Sequence, residues 1–348
     1  MMSSLHVSQL RYDAMIGTGG IGSGQFFALS GDHTLGREES RGGHFVDRRD
    51  YCKLHIISHY VQRLLGKRFM ALPIGRVGAD NAGAKLLAEM KAAGLDLRYV
   101  ERAQGEQTLF SFCFAYPDGS GGNLTTEDSA CGRVDAAFVL RARPDFARHA
   151  GRGIVLAVPE VPLEARAALL AFGTRYQFLR VASFTTQEVP DVIRRDLLRR
   201  VDFLAVNKDE AAALAGSQAE KGPARNVASA AVRRLHARYP DLLISITAGK
   251  QGSWCWDGER LTHAPPVEVQ PASTAGAGDA HLAGMLVAIA AGLSMRAAQQ
   301  LGALVASMSV TSPHTIHPDI APRTLRDFAA TVQSRWCREL LDLFGLEP

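Results

Sequence analysis

What most constrains this chain is a rhythm. Apolar runs of strand length (YDAMIG, RFMALPIG, GIVLAV, YQFLRVA, VDFLAV, LLISITAG) alternate with segments of helical period (CKLHIISHYVQRLLG, NAGAKLLAEMKAAG, PLEARAALLAFG, VPDVIRRDLLRR, ARNVASAAVRRLHARY). A strand that is apolar along its whole length is buried on both faces. The pattern therefore predicts an α/β fold, a mostly parallel sheet with helices on both sides. A chain of 348 residues, 47% of them hydrophobic, can bury a core of that kind as one large domain or two smaller ones.

One region breaks the rhythm. Thr108–Thr126 alternates, turns at Pro-Asp-Gly-Ser and extends again, which predicts a β-hairpin. In an α/β fold such an insertion reads as a lid or a dimer contact. The charged, glycine-bearing segment from Gly31 to Arg49 reads as a loop or as further lid strands. SRWCRELLDLFGLEP predicts an amphipathic helix packed on the body.

Charge and cysteine usage exclude several classes. The 39 basic and 35 acidic residues leave a formal charge of only +4. Arg194–Arg195 and Arg199–Arg200 have no aromatic residues interleaved, so they read as a solvated helix face and not as a nucleic-acid stripe. Cys52, Cys113, Cys131, Cys255 and Cys337 are scattered without a C-x-x-C pair, the usage of reduced cytosolic thiols. The stretch MMSSLHVSQLRYD lacks the apolar block of a signal peptide, and LAGMLVAIAAGL is too short to span a bilayer. The expectation is a soluble cytoplasmic protein with neither nucleic acid nor membrane as partner.

Gly17–Gly24, GTGGIGSG, contains a G-x-G-x-x-G spacing after an apolar run. A dinucleotide loop needs a helix immediately after its glycines and an acid about 20 positions on. Here the chain breaks again at Gly31 and Gly36, and no second strand leads to Glu38 or Glu39. The stretch reads instead as a tight strand end where something approaches the backbone closely.

The chemistry lies elsewhere, in STAGAGDAHLAGMLVAIAAG. Gly276, Ala277 and Gly278 precede a helical pattern (Leu282, Met285, Leu286, Ile289), and small residues there leave N–H groups aligned for an anion. Asp279 falls in the first turn. It is read either as a helix cap or as the acceptor of a proton from an attacking hydroxyl.

TAGAGD resembles the signature of the ribokinase-like (PfkB-type) carbohydrate kinase family. VNKDEAAALAG resembles its N-x-x-E motif, with Asn207 and Glu210. ITAGKQGSWCWDG resembles its T-x-G-x-x-G segment, with Thr247, Gly249 and Gly252. GRVGADNAGAKLLAEMKAAGLDLRYV resembles its early G-x-V-G-x-D-x-x-G stretch, with Gly75, Gly78, Asp80 and Gly83, and TLFSFCFAYPDGS looks like its lid hairpin. These segments stand in the family's order and cover most of residues 10 to 320.

The resemblance implies a three-layer α/β sandwich with a small β lid. The kinase domain would span 10–330, with lid segments near 31–49 and 106–127, and a C-terminal helix would lie in 331–348. It further implies transfer of the γ-phosphoryl group of ATP to a hydroxyl of a sugar or sugar derivative. Asp279 carries over as the base and Gly276, Ala277 and Gly278 as the anion hole. Asn207 and Glu210 would organise Mg2+ through water, and Thr247, Gly249, Gly252 and Thr274 would lie along the nucleotide.

The N-terminal third departs from the family's pattern. An acceptor-binding acid is expected near the end of the first strand, where this chain has Gly22 and Ser23. The family's first glycine-rich signature is replaced by DRRDYCKLHIISHY, which makes Arg48, Arg49, Lys53 and His55 candidate acceptor contacts. Guanidinium and ammonium groups pair with carboxylate and phosphate, so an anionic acceptor is one expectation. The other is that these groups are exposed or paired with Asp47 and Asp50. His55 and His59 share a helix face, but no H-E-x-x-H frames them, so zinc is not expected. Ser273 and Ala275 depart from the family's common Asp and Thr, which bears on a nearby monovalent-cation site. Two readings stand beside the sugar kinase: a silent ligand-binding or regulatory protein on the same fold, and a nucleoside kinase. An apolar lid face leaves a homodimer open.

Overall fold

All six apolar runs become strands, because each can be covered on both faces by the helices that separate them. A computed structural model of the chain describes residues 5–7, 9–118, 121–216, 222–332 and 335–347. The strands in chain order are β1 (Ala14–Thr18), β2 (Gly22–Leu29), β3 (Gly43–Tyr51), β4 (Met70–Gly78), β5 (Tyr99–Ala103), β6 (Leu109–Ala115) and β7 (Gly121–Thr125). They continue with β8 (Gly153–Ala157), β9 (Leu179–Ala182), β10 (Phe203–Asn207), β11 (Leu243–Thr247), β12 (Ser253–Trp256) and β13 (Leu261–Ala264).

Among the described residues, nine strands form one sheet in the order β13-β12-β11-β10-β9-β8-β1-β4-β5. Its pairs from β11 to β5 are parallel, while β12 and β13 add an antiparallel edge. Central β1 and β8 are buried at every residue. One face is covered by the helices Lys53–Leu65, Asn81–Ala92, Ala277–Ala290 and Met295–Ser309, through Leu54, Ile57, Leu86, Met285 and Leu301. Leu163–Arg175, Lys208–Ala215 and Ala224–Arg238 cover the other through Leu169, Phe172, Ala211 and Val227. The fold is the expected α/β sandwich.

The segment VPDVIRRDLLRR is not one helix. Val189–Arg194 is helical, then Asp196 adopts a left-handed φ of 52°. The Tyr239 hydroxyl (2.7 Å) and the Arg238 guanidinium (2.8 Å) both donate to its Oδ1, which fixes the break. Arg194, Arg195 and Arg199 pair with Asp191, Glu164 and Asp196, so these arginines are spent on surface ion pairs.

The helices Ala277–Ala290 and Met295–Ser309 cross backbone to backbone. A Cβ on Gly284 would lie 2.6 Å from the Leu301 carbonyl oxygen and 2.8 Å from Gly302 Cα. Neither partner is a flexible side chain, so Gly284→Val should destabilise the protein by about 3 kcal/mol. Alanine's helix-propensity advantage of about 1 kcal/mol over glycine is too small to offset such a clash. A fall in the urea midpoint checks this.

The remaining four strands form a second sheet, β3-β2-β6-β7, with β2 and β6 parallel and the outer pairs antiparallel. The hairpin expected over Thr108–Thr126 is β6 and β7; the Gly119–Ser120 part of its turn lies outside the described residues. The segment after GTGGIGSG is a strand too, so only the first half of that stretch ends β1 and its second half opens β2. One face of the small sheet carries Phe27, Phe45 and Phe112, with ring centroids 5.1 to 6.4 Å apart. Phe45 and Leu124 on that face are 61% and 64% exposed. The opposite face carries Asp50, Ser111 and Cys113.

The end of β3 is stitched to the loop after Met295–Ser309. Arg49 N–H donates to His314 Nδ1 (3.0 Å), Thr315 N–H to the Arg49 carbonyl (3.0 Å), and Tyr51 N–H to Thr315 Oγ1 (3.1 Å). The helix Arg338–Phe344 docks through buried Leu340, Leu343 and Phe344. All five cysteines are unpaired, and no described helix is long and apolar enough to cross a membrane.

Candidate active site

The site gathers where parallel strands end and helices begin, the position at which open α/β sheets bind ligands. Gly276 takes a φ of 74°, turning the chain into the Ala277–Ala290 helix. The first intrahelical bond is made by Ala280 N–H to the Gly276 carbonyl (2.9 Å), and Ala277 N–H reaches the Thr274 carbonyl at 3.3 Å. The N–H groups of Gly278 and Asp279 therefore stand at the positive helix end ahead of any intrahelical acceptor. A Cβ on Gly278 would lie 3.7 Å from Thr247 Oγ1, so the end of β11 borders this anion site. Gly249 and Gly252 shape the turn after it, with φ of 53° and 83°.

Asn207 ends β10 and caps the next helix reciprocally with Glu210. Asn207 Oδ1 accepts from Glu210 N–H (2.9 Å), and Glu210 Oε2 accepts from Asn207 N–H (2.8 Å). The N-x-x-E spacing thus forms a capping box. Glu210 is 9% exposed, and burial, with the charge of Asp279, raises its carboxyl above the ordinary range, while Lys53 opposes this.

Lys53 is the first residue of its helix, and its Nζ donates to Asp279 Oδ1 at 3.0 Å. Asp279, followed by Glu210 and Glu160, holds the ammonium protonated against the cost of its burial. Glu160 sits just beyond β8 at a φ of 77°. Its Oε2 is buried without a hydrogen-bond partner, and burial pushes its carboxyl up to about 7. Asp50 lies on β3, where burial raises its carboxyl, with a smaller contribution from the charge of Asp279. Neither Glu160 nor Asp50 was picked out from sequence. Glu160 follows an apolar strand at its carboxyl end, a usable signal; Asp50 hides inside the charge run DRRD.

The glycines of GTGGIGSG are explained by close approach. The Glu160 side chain lies across Gly20, and a Cβ on Gly22 would stand 2.5 Å from the Leu109 carbonyl oxygen. Neither position has room for a side chain. Ser23 pairs with Tyr51 across β2 and β3.

The other acceptor candidates scatter. Lys53 joins the site. Arg48 lies with its guanidinium 5.7 Å from the Phe26 ring centroid and its Nε buried without a hydrogen-bond partner. Arg49 is exposed, held by the backbone stitches to His314 and Thr315. His55 is a correction: it is 1% exposed, 4.7 Å from the Tyr51 ring, and burial lowers its pKa to about 3. A neutral imidazole packed in the core cannot meet an acceptor.

Among the described residues no group of three His, Cys, Asp or Glu side chains forms a metal cage. Mg2+ carried on nucleotide phosphates keeps most of its waters and needs one or two carboxylates, which the Asn207–Glu210 pair at the strand end fits.

A helix start with N–H groups ahead of any intrahelical acceptor, a carboxylate in its first turn and a strand-end capping box suit the binding of an anion such as a phosphate. The profile described as pfkB family carbohydrate kinase matches residues 57–322. The chain belongs to this family of ATP-using carbohydrate kinases. It is similar to a ribokinase of Bacillus subtilis (strain 168), 26% identical over 240 residues, 69% of this chain and 74% of that one. The fold is similar to that of a Cryptococcus neoformans ribokinase solved with ADP, at a TM-score of 0.74 and 17% identity, covering 90% of this chain and 99% of the other. It is also similar to that of a Burkholderia thailandensis nucleoside kinase solved with inosine, at 0.71 and 17% identity, covering 96% and 99%.

Proposed function

We propose that this protein transfers the γ-phosphoryl group of ATP to a hydroxyl of a sugar or sugar derivative, with Asp279 as the base. The observation that carries this reading is the Asp279 carboxylate in the first turn of a helix whose Gly278 and Asp279 N–H groups precede any intrahelical acceptor. The carboxylate orients the acceptor hydroxyl and takes its proton as the new P–O bond forms and the bond to ADP breaks. The N–H groups at Gly276 and Gly278 hold the transferring phosphoryl oxygens, fixed in advance by the helix, whereas Ala277 N–H, the third donor expected there, is taken by the Thr274 carbonyl. Thr247, Gly249, Gly252 and Thr274 line the nucleotide. Asn207 and Glu210 would hold Mg2+ through water, where it offsets phosphate charge. A monovalent cation near Ser273 belongs to the same reading.

Lys53 donates to Oδ1 of Asp279, and Glu210 and Glu160 also stabilise its ammonium. Residues 10–330 form the catalytic unit in this reading, with the segments near 31–49 and 106–127 as its lid. The exposed Phe45 and Leu124 on the outer face of the small sheet support a homodimer formed there.

The test is ADP formation from ATP with a panel of sugars, sugar acids, sugar phosphates and nucleosides. We expect acceptor-stimulated turnover that falls to background with EDTA and returns with added Mg2+. ATP hydrolysis that no compound accelerates would instead favour the silent, ligand-binding reading.

A further inference from the structure

We propose that Lys53 is the positioning residue of the base: its ammonium holds Asp279 by Oδ1, keeps the carboxylate off its own helix start and leaves Oδ2 to the acceptor hydroxyl. The inference rests on the kinase reading and adds a residue that precedes the stretch matched by the family profile.

An acid at the third helical position has an easy partner in the N–H groups behind it, as the glutamate of a capping box does. Asp279 does not take it. Among the described residues no backbone N–H donates to its carboxylate, and its one hydrogen bond is the 3.0 Å contact from Lys53 Nζ. Oδ2 makes no hydrogen bond and is open to solvent. A carboxylate folded back on the helix start would instead occupy the N–H groups that stand ahead of any intrahelical acceptor.

Lys53 is a poor residue for the helix it opens. A cation in the first turn meets the positive end of the helix dipole. No acidic residue in that turn offsets it, and the Cys52 side chain supplies no cap. The gain lies in the neighbouring helix, where the pair with Asp279 is half-buried, its side chains 33% and 15% exposed. Pairs on open surface contribute little, but partners this far from solvent are screened less.

Packing, not the ion pair, sets the distance. Leu54, Ile56 and Ile57 behind Lys53 are buried. Ile56 Cδ1 lies 3.4 Å from the place of a Cβ on Gly276, so the two helix starts touch at the turn itself. Removing the ammonium therefore leaves both backbones in place and frees only the carboxylate. In the reaction the acceptor hydroxyl gives its proton to Oδ2 as its oxygen bonds to the γ-phosphorus and the bond to ADP breaks. Lys53 keeps its own proton throughout and acts through Asp279 alone.

A double-mutant cycle tests this. ADP formation from MgATP is measured with D-ribose or, where the acceptor panel finds a better compound, with that one. The proteins are wild type, Lys53→Met, Asp279→Asn and the double variant, with urea midpoints as the control for folding. Lys53→Met should lower kcat roughly tenfold to a hundredfold and hold acceptor KM within about threefold. In the Asp279→Asn background the same substitution should cost less than about twofold. The proposal is overturned if kcat of Lys53→Met stays within about twofold of wild type, if the loss falls on acceptor KM, or if it is repeated in full in the Asp279→Asn background. Lys53→Ala runs the same cycle should the methionine variant lose its urea transition. Absence of acceptor-stimulated turnover in the wild type would sink the kinase reading itself, a separate result.

Discussion

Asp279→Asn should lower acceptor-dependent phosphoryl transfer by about three orders of magnitude and leave AMP-PNP affinity within about twofold. Asparagine keeps the size of the side chain and an oxygen that accepts from Lys53, now 3.0 Å from Asp279 Oδ1. The helix start that faces the phosphates is backbone and is unchanged by the substitution. What disappears is the ability to take a proton at the moment of attack. A loss that fell on AMP-PNP affinity instead would make Asp279 a structural cap. A variant with wild-type turnover would move the base elsewhere, and Glu160 would be the first residue to test.

The second large effect is on stability toward acid. His55, His59 and His281 are buried neutral, and burial lowers their pKa values to about 3, 4 and 4. In the unfolded chain a histidine titrates near 6.5. As pH falls below that value the unfolded state binds three protons that the folded state refuses, so stability drops. Glu160 opposes this by one proton, because its folded carboxyl stays protonated up to about 7. The balance is a loss of about 3 kcal/mol per pH unit below pH 6, reduced somewhat by the raised carboxyls of Asp50 and Glu210. Domains are typically stable by only about 5–15 kcal/mol, so unfolding should begin well above the carboxylate range. Urea midpoints between pH 7 and 5 measure the slope. In His281→Leu the slope should shrink by about 1.4 kcal/mol per pH unit whatever the variant's absolute stability. An unchanged slope would mean that His281 is charged in the fold.

The capping box at Asn207 and the glycine turn into the Ala277–Ala290 helix were legible because each is short and local. Asn207 with Glu210 and Gly276 with Asp279 each span one helix start, so spacing alone places them. Asp50 on β3, Glu160 after β8 and Lys53 at a helix start come from three separate segments, and no local spacing relates them. Hence Asp50 and Glu160 were missed. The family profile likewise begins only at residue 57, beyond β3 and Lys53. His55 misled because it looked polar in a segment whose neighbours Leu54, Ile56, Ile57, Tyr60 and Val61 are all buried. A helix buried over most of its circumference leaves little polar face, and the His55 imidazole goes into the core. The crossing of GTGGIGSG between two sheets was hidden for another reason. Glycine carries no hydrophobic period, so the start of β2 within it left no pattern to read.

The backbone stitches between β3 and Thr315 have a mechanical consequence. Thr315 also abuts the nucleotide side, since a Cβ on Gly276 would lie 3.0 Å from its carbonyl oxygen. One threonine is therefore wedged between the Gly276 turn and the end of β3. The link runs through one backbone hydrogen bond and two in which β3 N–H groups donate to the His314 imidazole and the Thr315 hydroxyl. A shift of the Gly276 turn would therefore bear directly on the end of β3.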